Sequence, residues 1–236
     1  MRRIGITRDD GKPDINILTA EDPVEYYLDG INQVQANERI GLSFATILRS
    51  FLRQDPEVIL VGEIRDQETA DIAIKAALTG HLLLSTLHTN DAIQTITRLI
   101  NMGVPDFMVA AALSLVIAQR LARVNCQYCL VTDTSATPEI LHRIGFAPIH
   151  LENIKASRGS GCDHCSGSGF SGRRGIYEIL PITSQIEAGI ISNIGAAGLT
   201  ETARKEGFRS MQETGRDLIR EGIICIAEYQ RVLVMS

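Results

Sequence analysis

Four of the five cysteines form two closely spaced pairs. Two residues separate Cys126 from Cys129, and two separate Cys162 from Cys165. Four thiolates complete the tetrahedral coordination of Zn²⁺ and leave no open position, which is typical of a structural metal site. The long stretch between the pairs predicts an inserted helical excursion between two metal-binding knuckles. The alternatives are a reduced thiol cluster or redox chemistry, whereas Cys225 stands alone and is predicted to be a small buried residue.

Acidic and imidazole side chains follow three short apolar segments. Ligands of open α/β sheets bind at the carboxyl ends of the strands, where carboxylates can hold Mg²⁺ and orient an attacking water. The alternative for any one segment is a simple turn or a helix cap, but three in strand order favour a site. The residues are, segment by segment, Glu21, Asp22 and Glu25; Gly62, Glu63, Arg65 and Asp66; and His88, with His81 at the other end of the third segment.

The segments that position these groups alternate between two periodicities. Residues 15–19, 58–61 and 82–84 are short apolar runs, as in the buried strands of a parallel sheet. Apolar residues at three- and four-residue spacing predict helices between and after them. This alternation predicts an α/β fold with a parallel sheet, followed after residue 175 by a strand and a mainly helical region. The predicted helices begin near Ser43, Asp66, Asp91 and Pro105, and the last of them runs to about Ala122.

The composition is that of an ordinary globular protein. The 236 residues are 44% hydrophobic and 22% charged, and the net charge is -5. This length allows one large domain or two small ones, and the acidic balance gives no reason to expect direct nucleic-acid contact. The longest apolar stretch, residues 109–118, is about half as long as a membrane-spanning helix. Since no signal segment opens the sequence, we expect a cytoplasmic location and no transmembrane segment.

Several motifs together resemble those of the type II secretion and type IV pilus-assembly ATPases. Residues 17–26 resemble the Asp box of that family, residues 52–56 and 61–66 resemble its Walker B segment, and residues 79–92 resemble its His box. Residues 172–178 resemble a motif that follows a tetracysteine subdomain in assembly-type members, a subdomain that retraction members lack. The similarity covers nearly the whole chain and favours assembly or secretion over retraction.

The resemblance implies a homo-hexameric motor that couples ATP hydrolysis to assembly of a pilus or pseudopilus and to protein secretion. Its expected location is the cytoplasmic face of the inner membrane, where it would be held by platform proteins. Three regions are implied: residues 1–125 as part of a RecA-like P-loop NTPase core, residues 126–175 as a tetracysteine zinc subdomain, and residues 176–236 as a mainly helical region.

The same resemblance implies roles for individual residues. Glu63 would act on Mg²⁺ and water at the γ-phosphate of ATP, Glu21 is the other candidate for activating the water, and His88 would sense the γ-phosphate. Asp22 and Glu25 would support the metal and the loop. Three arginines, Arg49, Arg53 and Arg65, could neutralise phosphate charge or could simply lie on a solvated face. The remaining candidates for nucleotide contact are Gly62, Arg65, Asp66, His81, Arg49 and Arg53.

One expected motif does not occur in the sequence. A P-loop, G-x-x-x-x-G-K-S/T, holds phosphates with its backbone amides and its lysine, and the only Gly-Lys pair here, Gly11-Lys12, is followed by Pro13. Positioning and charge neutralisation supply nearly all of phosphoryl-transfer catalysis. We therefore expect the isolated chain not to hydrolyse ATP, and we expect a P-loop to be encoded upstream of Met1.

Two other functions are compatible with parts of the sequence. A zinc-ribbon module that binds nucleic acid or protein explains residues 126–175 but leaves the acidic motifs unexplained, and salt-sensitive DNA binding would favour it. A hydrolase without nucleotide could use Glu63 and His88 as acid–base partners. The geometry around these two side chains bears on that second alternative.

Overall fold

A computed structural model describes residues 15–147, 154 and 156–234. The Gly11-Lys12-Pro13 segment lies outside the described residues. Contacts divide the chain into two compact units, each assembled from two stretches of sequence. Among the described residues, the first unit comprises 15–116 and 181–202, and the second comprises the remainder. The sequence-based division into regions 1–125, 126–175 and 176–236 stays a prediction.

The first unit is built on a parallel four-stranded sheet in the order β2-β1-β3-β4. This arrangement confirms the predicted α/β class, although β2 was not predicted. The central strands β1 and β3 are almost wholly buried, as their continuous apolar sequences require. Strand β4 is an edge of the described sheet, and Leu82 is 49% exposed there. The strands are β1 Ile17–Glu21, β2 Asn32–Gln35, β3 Val58–Val61 and β4 Leu82–Ser85.

Helices of the first unit begin where the sequence places capping side chains. Ser43, Asp66 and Asp91 each accept a hydrogen bond from the backbone N–H three residues later, which satisfies one free donor of each helix. None of the helices in the described part of the chain is long and apolar enough to cross a membrane. The helices are α1 Phe44–Phe51, α2 Gln67–Leu78, α3 Ala92–Asn101, α4 Asp106–Ala112, α6 Ser184–Ile191 and, across the unit boundary, α7 Gly195–Lys205.

The predicted helix from Pro105 to about Ala122 was wrong in its second half. Helix α4 ends at Ala112, and residues 115–125 form strand β5. Along this strand Val116 and Ala122 are buried, whereas Ile117 and Leu121 are about half exposed. The inward-facing positions are an even number of residues apart, which is the period of a strand. Pairing with strand β8, Phe170–Pro181, overrides the helical tendency of this apolar run.

The second unit combines two small sheets with short helices. Strand β5 pairs with β8, and β6 pairs antiparallel with β7. Helix α5 lies between the two cysteine pairs, as the predicted excursion requires, and α8 and α9 confirm a helical C-terminal part. Their buried side chains share one core with Ile176 of β8. The elements are β5 Leu115–Asn125, β6 Leu130–Thr132, α5 Pro138–Arg143, β7 Ser157–Gly159, β8 Phe170–Pro181, α8 Met211–Arg220 and α9 Ile226–Leu233.

A buried carboxylate ties helix α9 to strand β5. Glu228 is 1% exposed, and its Oε1 accepts from the backbone N–H of Arg123 at 2.8 Å. Its Oε2 accepts from Arg123 Nη2 at 2.7 Å and from Arg231 Nε at 2.9 Å. The Arg123 guanidinium also lies 4.1 Å from the centre of the Phe170 ring. Burial raises the pKa of Glu228, but the hydrogen bonds from Arg231 and Arg123 outweigh it and lower the pKa to about 2.

We expect Glu228→Gln to lower the free energy of unfolding at pH 7 by about 3 kcal/mol, because it leaves two arginines without their shared anion. The pKa of Glu228 in the folded protein lies below its ordinary value of 4.5. The difference in stability between wild type and variant should therefore be present at neutral pH and disappear as the pH falls from 4.5 towards about 2. Urea unfolding across this range measures it, with the exposed Glu221→Gln as the matched control. Equal stability of wild type and Glu228→Gln at pH 7 would contradict the expectation.

Candidate functional site

Glu63 is the centre of an ion-pair cluster at the carboxyl ends of the parallel strands. One carboxylate oxygen accepts from Arg65, and the other, Oε2, lies 3.1 Å from His88 Nε2. Arg65 Nη2 also lies 3.6 Å from Asp22 Oδ2. The carboxylate, the imidazole and Asp22 come from the ends of β3, β4 and β1, so the cluster joins three neighbouring strands. Of the residues that the strand-end pattern singled out, the structure joins Glu63, Arg65, His88 and Asp22 in this cluster.

Close packing of the strand ends holds this cluster in place. Gly62 donates from its N–H to Ala20 O at 2.7 Å, and Thr86 Oγ1 donates to Gly62 O at 2.7 Å. A Cβ atom on Gly62 would lie 3.1 Å from Ala20 O, closer than most such contacts. A glycine therefore lets β1 approach β3 at the point where Glu63 leaves the sheet.

The cluster keeps the Glu63 carboxyl ionised. The hydrogen bond from Arg65 lowers the pKa of Glu63, and this effect, together with the hydrogen bond from His88, outweighs the opposing effect of burial. In return, the Glu63 carboxylate raises the pKa of Arg65. The Glu63 side chain is 14% exposed, whereas that of His88 is 90% exposed. An ionised, largely shielded carboxylate next to an accessible imidazole is suited to contact a cation or a water molecule.

Glu21 lies at the end of β1 and makes a different set of contacts. Its Oε1 accepts from Thr19 Oγ1 at 2.5 Å and from Gln33 Nε2 at 2.9 Å. Thr19 is buried, and Gln33 lies on the neighbouring strand β2. Glu21 and Glu25 both line an open cleft of about 410 Å³. Two carboxylates, Glu21 and Glu63, are therefore presented at the same edge of the sheet by separate sets of neighbours.

The four paired cysteines converge in the second unit. Their sulfur atoms all lie within 4.8 Å of one another, with Cys126 3.9 Å from Cys162 and Cys129 3.9 Å from Cys165. A tetrahedral Zn²⁺ with Zn–S bonds of about 2.3 Å places its sulfurs about 3.8 Å apart. The four thiols therefore fit zinc in both donor type and spacing.

Backbone N–H groups and burial act differently on the individual thiols. Cys165 Sγ accepts from the N–H groups of Cys162 and Gly169, each at 3.2 Å, and the first of these bonds leads in lowering the pKa of Cys165 to about 6. Burial raises the pKa of Cys126 to about 11.

Two glycines let the backbone approach itself closely near the cysteines. A Cβ on Gly159 would lie 2.0 Å from Gly169 O, so the end of β7 and the residue before β8 meet only because both are glycines.

Comparisons with known proteins identify the family. The protein-family model described as type II/IV secretion system protein matches residues 9–231 of this chain. The chain belongs to this family. The type IV pilus assembly ATPase PilB of Pseudomonas aeruginosa is 50% identical over 219 residues, which are 93% of this chain and 38% of that protein. The type II secretion system protein E of the same organism is 43% identical over 217 residues, 92% of this chain and 42% of that protein.

The structural comparison agrees with the family assignment. The crystal structure of the pilus retraction motor PilT with bound ADP matches with a TM-score of 0.65 and 29% identity over 92% of this chain and 52% of that one.

The chain is shorter than the relatives that it matches. The PilB of Thermus thermophilus is 47% identical over 216 residues, 92% of this chain but 24% of that protein. This family member therefore spans less than half of each of these curated relatives.

Four other candidate residues have partners outside the Glu63 cluster. Arg49 pairs with Glu68 at 2.5 Å, and Arg53 Nη1 donates to the Arg49 carbonyl at 2.9 Å. The Asp66 carboxylate caps α2 by accepting from Thr69 N at 2.8 Å. His81 precedes β4, at the opposite end from His88, and its Nδ1 lies 3.0 Å from Ala76 O. Nucleotide contacts for these four residues stay predictions.

Two residues that contact the candidate site were not predicted from the sequence. Gln33 belongs to the polar run Asn32–Gln35, which was not predicted to be a strand, and Thr86 lies just beyond β4. Around Gln33 the sequence shows only amide residues on both sides of Val34. An edge strand with such a polar face is hard to tell from a loop. Strand pairing, which depends on residues far apart in sequence, brings both side chains to the site.

Proposed function

We propose that this chain is the C-terminal catalytic portion of a motor ATPase that couples ATP hydrolysis to pilus or pseudopilus assembly and to protein secretion. The observation that carries the proposal is the Glu63 carboxylate, held between Arg65 and His88 at the ends of neighbouring parallel strands. The relatives named as a pilus assembly ATPase and as type II secretion protein E support the coupling to assembly and secretion. The tetracysteine cluster favours assembly over retraction.

The carboxylates at the sheet edge fit Mg²⁺, a cation that prefers oxygen ligands. Glu63, with support from Asp22 and Glu25, would hold it, and bound Mg²⁺ would neutralise charge on the ATP phosphates. Glu21 and Glu63 are both candidates for orienting the attacking water. His88, being exposed beside Glu63, would contact the γ-phosphate, and Arg65 would stabilise the negative charge.

The zinc site is proposed to be structural and to hold one Zn²⁺ per chain. All four protein ligands are thiols, so no coordination position remains for substrate. Its place in the second unit, away in sequence from the motifs of the sheet, supports a stabilising function. The motor itself is proposed to work as a homo-hexamer at the cytoplasmic face of the inner membrane, bound to platform proteins of the pilus or secretion system.

The full chain can be tested in place of the segment that it matches in the Pseudomonas aeruginosa PilB. This chimera combines a host P-loop with the carboxylates of this chain, so we expect Mg²⁺-dependent phosphate release from ATP. The isolated 236-residue chain should release none above buffer, because the sequence contains no P-loop pattern. Phosphate release is measured for both proteins under the same conditions.

The host P-loop lysine replaced by alanine provides the control, since it should abolish turnover in the chimera. A folded chimera without ATPase activity would refute the proposed function. Turnover by the isolated chain would refute the expected dependence on a P-loop. Pili on cells that lack their own PilB and carry the chimera would extend the result to assembly.

A further inference from the structure

Gln33 and Glu21 lie on one face of the sheet because of the register between β1 and β2. Gln33 is the parallel partner of Thr19, and Glu21 is two residues further along β1. Side chains two residues apart on a strand share a face. Thr19, Glu21 and Gln33 are therefore presented side by side, even though eleven residues separate Glu21 from Gln33.

The amide of Gln33 contacts the last residue of β1 and two residues of the loop that follows. Its Nε2 donates to Glu21 Oε1 at 2.9 Å and to the carbonyl of Tyr26 at 3.0 Å. Its Oε1 accepts from the backbone N–H of Leu28 at 2.7 Å. One side chain thus connects the carboxylate of Glu21 with the backbone of the loop at Tyr26 and Leu28.

The hydrogen bonds to Glu21 reach a single oxygen. Thr19 and Gln33 both donate to Oε1, and the described residues place no hydrogen-bond donor on Oε2. Glu63 differs, because Arg65 and His88 occupy separate oxygens of its carboxylate. Two donors on one oxygen fix the orientation of the carboxylate and leave its second oxygen for other contacts.

We propose that Gln33 is a positioning residue that orients Glu21 for ATP hydrolysis by donating to Oε1 and anchoring the loop at Tyr26 and Leu28. This inference rests on the proposed function and assigns to Glu21, one of its two candidate carboxylates, the orientation of the attacking water. Gln33 acts through Glu21 and not on the nucleotide. Its loss therefore affects turnover more than substrate binding, since small displacements of reacting groups cost rate.

The test uses the PilB chimera that carries the full chain. We expect Gln33→Leu to lower kcat by about 10- to 100-fold, with the KM for ATP changed by less than about twofold. Gln33→Glu keeps the acceptor for Leu28 N but places a second negative charge beside Glu21. Because a carboxylate cannot donate to Glu21 Oε1, its kcat should fall about as far as that of Gln33→Leu, again with little change in the KM for ATP.

Gln35→Leu is the matched control. Gln35 is the register partner of Glu21 on β2, but its side chain accepts from Val24 N at 3.3 Å and makes no hydrogen bond to Glu21 among the described residues. Gln35→Leu should keep kcat within about twofold of wild type. A second measurement, amide hydrogen exchange in the 236-residue chain, should show faster exchange of Leu28 N–H in Gln33→Leu and unchanged exchange in Gln33→Glu.

The possible outcomes separate the two proposals. An inactive wild-type chimera refutes the proposed function and with it the basis for positioning Glu21. An active chimera in which Gln33→Glu keeps the wild-type kcat overturns the positioning role alone. Equal losses of kcat in the Gln33 variants and in Gln35→Leu also overturn it, because they indicate loop stability and not orientation of Glu21.

Discussion

Replacing Glu63 with glutamine is expected to lower the ATPase rate of the PilB chimera by about 100- to 10,000-fold, the range that removal of a catalytic acid or base gives. Glutamine keeps the size of the side chain but removes the negative charge that Arg65 and His88 share. It also removes the carboxylate that is proposed to bind Mg²⁺. We expect kcat to fall strongly and the KM for ATP to change little, since the charge acts mainly at the reacting phosphate.

Glu57 offers a matched control for this substitution. It immediately precedes β3, at the opposite end from Glu63, and its Oε2 accepts from Asn16 N at 2.5 Å. Glu57→Gln should therefore leave kcat within about twofold of wild type. A Glu63→Gln chimera that hydrolyses ATP as fast as Glu57→Gln would exclude Glu63 from catalysis and would leave Glu21 as the catalytic carboxylate.

Loss of one zinc ligand should have the largest effect on stability. Structural zinc sites in small peptides contribute about 10–16 kcal/mol of apparent binding free energy, as much as the stability of a whole domain, about 5–15 kcal/mol. Cys165→Ala removes the sulfur that receives two backbone hydrogen bonds. We expect the variant to lose stoichiometric zinc and the second unit to lose its folded structure, as measured by elemental analysis and by amide hydrogen exchange in β6 and β7.

Cys225→Ala separates loss of zinc from loss of a buried thiol. Cys225 is buried just before α9, its side chain makes no capping hydrogen bond, and burial raises the pKa of its thiol. Its replacement should keep one zinc per chain and cost about 1 kcal/mol. One zinc per chain in Cys165→Ala, or none in the untreated wild-type protein, would rule out the tetracysteine site.

The parts of the fold that were predicted correctly depend on local signals. Ser43, Asp66 and Asp91 cap helices because a short polar side chain can reach the N–H group three residues later, whatever the remainder of the chain does. The run after Ala112 has no such signal. Its apolar residues suit either a helix or a strand, and only the distant β8 decides between them.

The candidate site divides in the same way. Glu21, Glu63 and His88 were identifiable because strand ends are where open α/β sheets bind ligands. The contact of Glu63 with Arg65 and the capping function of Asp66 depend on side-chain rotamers, which a sequence pattern does not specify. The pairing of Arg49 with Glu68 joins α1 to α2. Predicting it would have required knowing how the two helices pack.

The open edge of β4 has a consequence for handling the protein. Among the described strands β4 has a neighbour on one side, β3, and its leucines are only partly covered, Leu82 being 49% exposed. An apolar edge with free backbone donors and acceptors is a template on which another chain can add a strand. Purified samples of the 236-residue chain would thus associate through this edge as they are concentrated, so dilute samples and a check of dispersity belong in every assay described above.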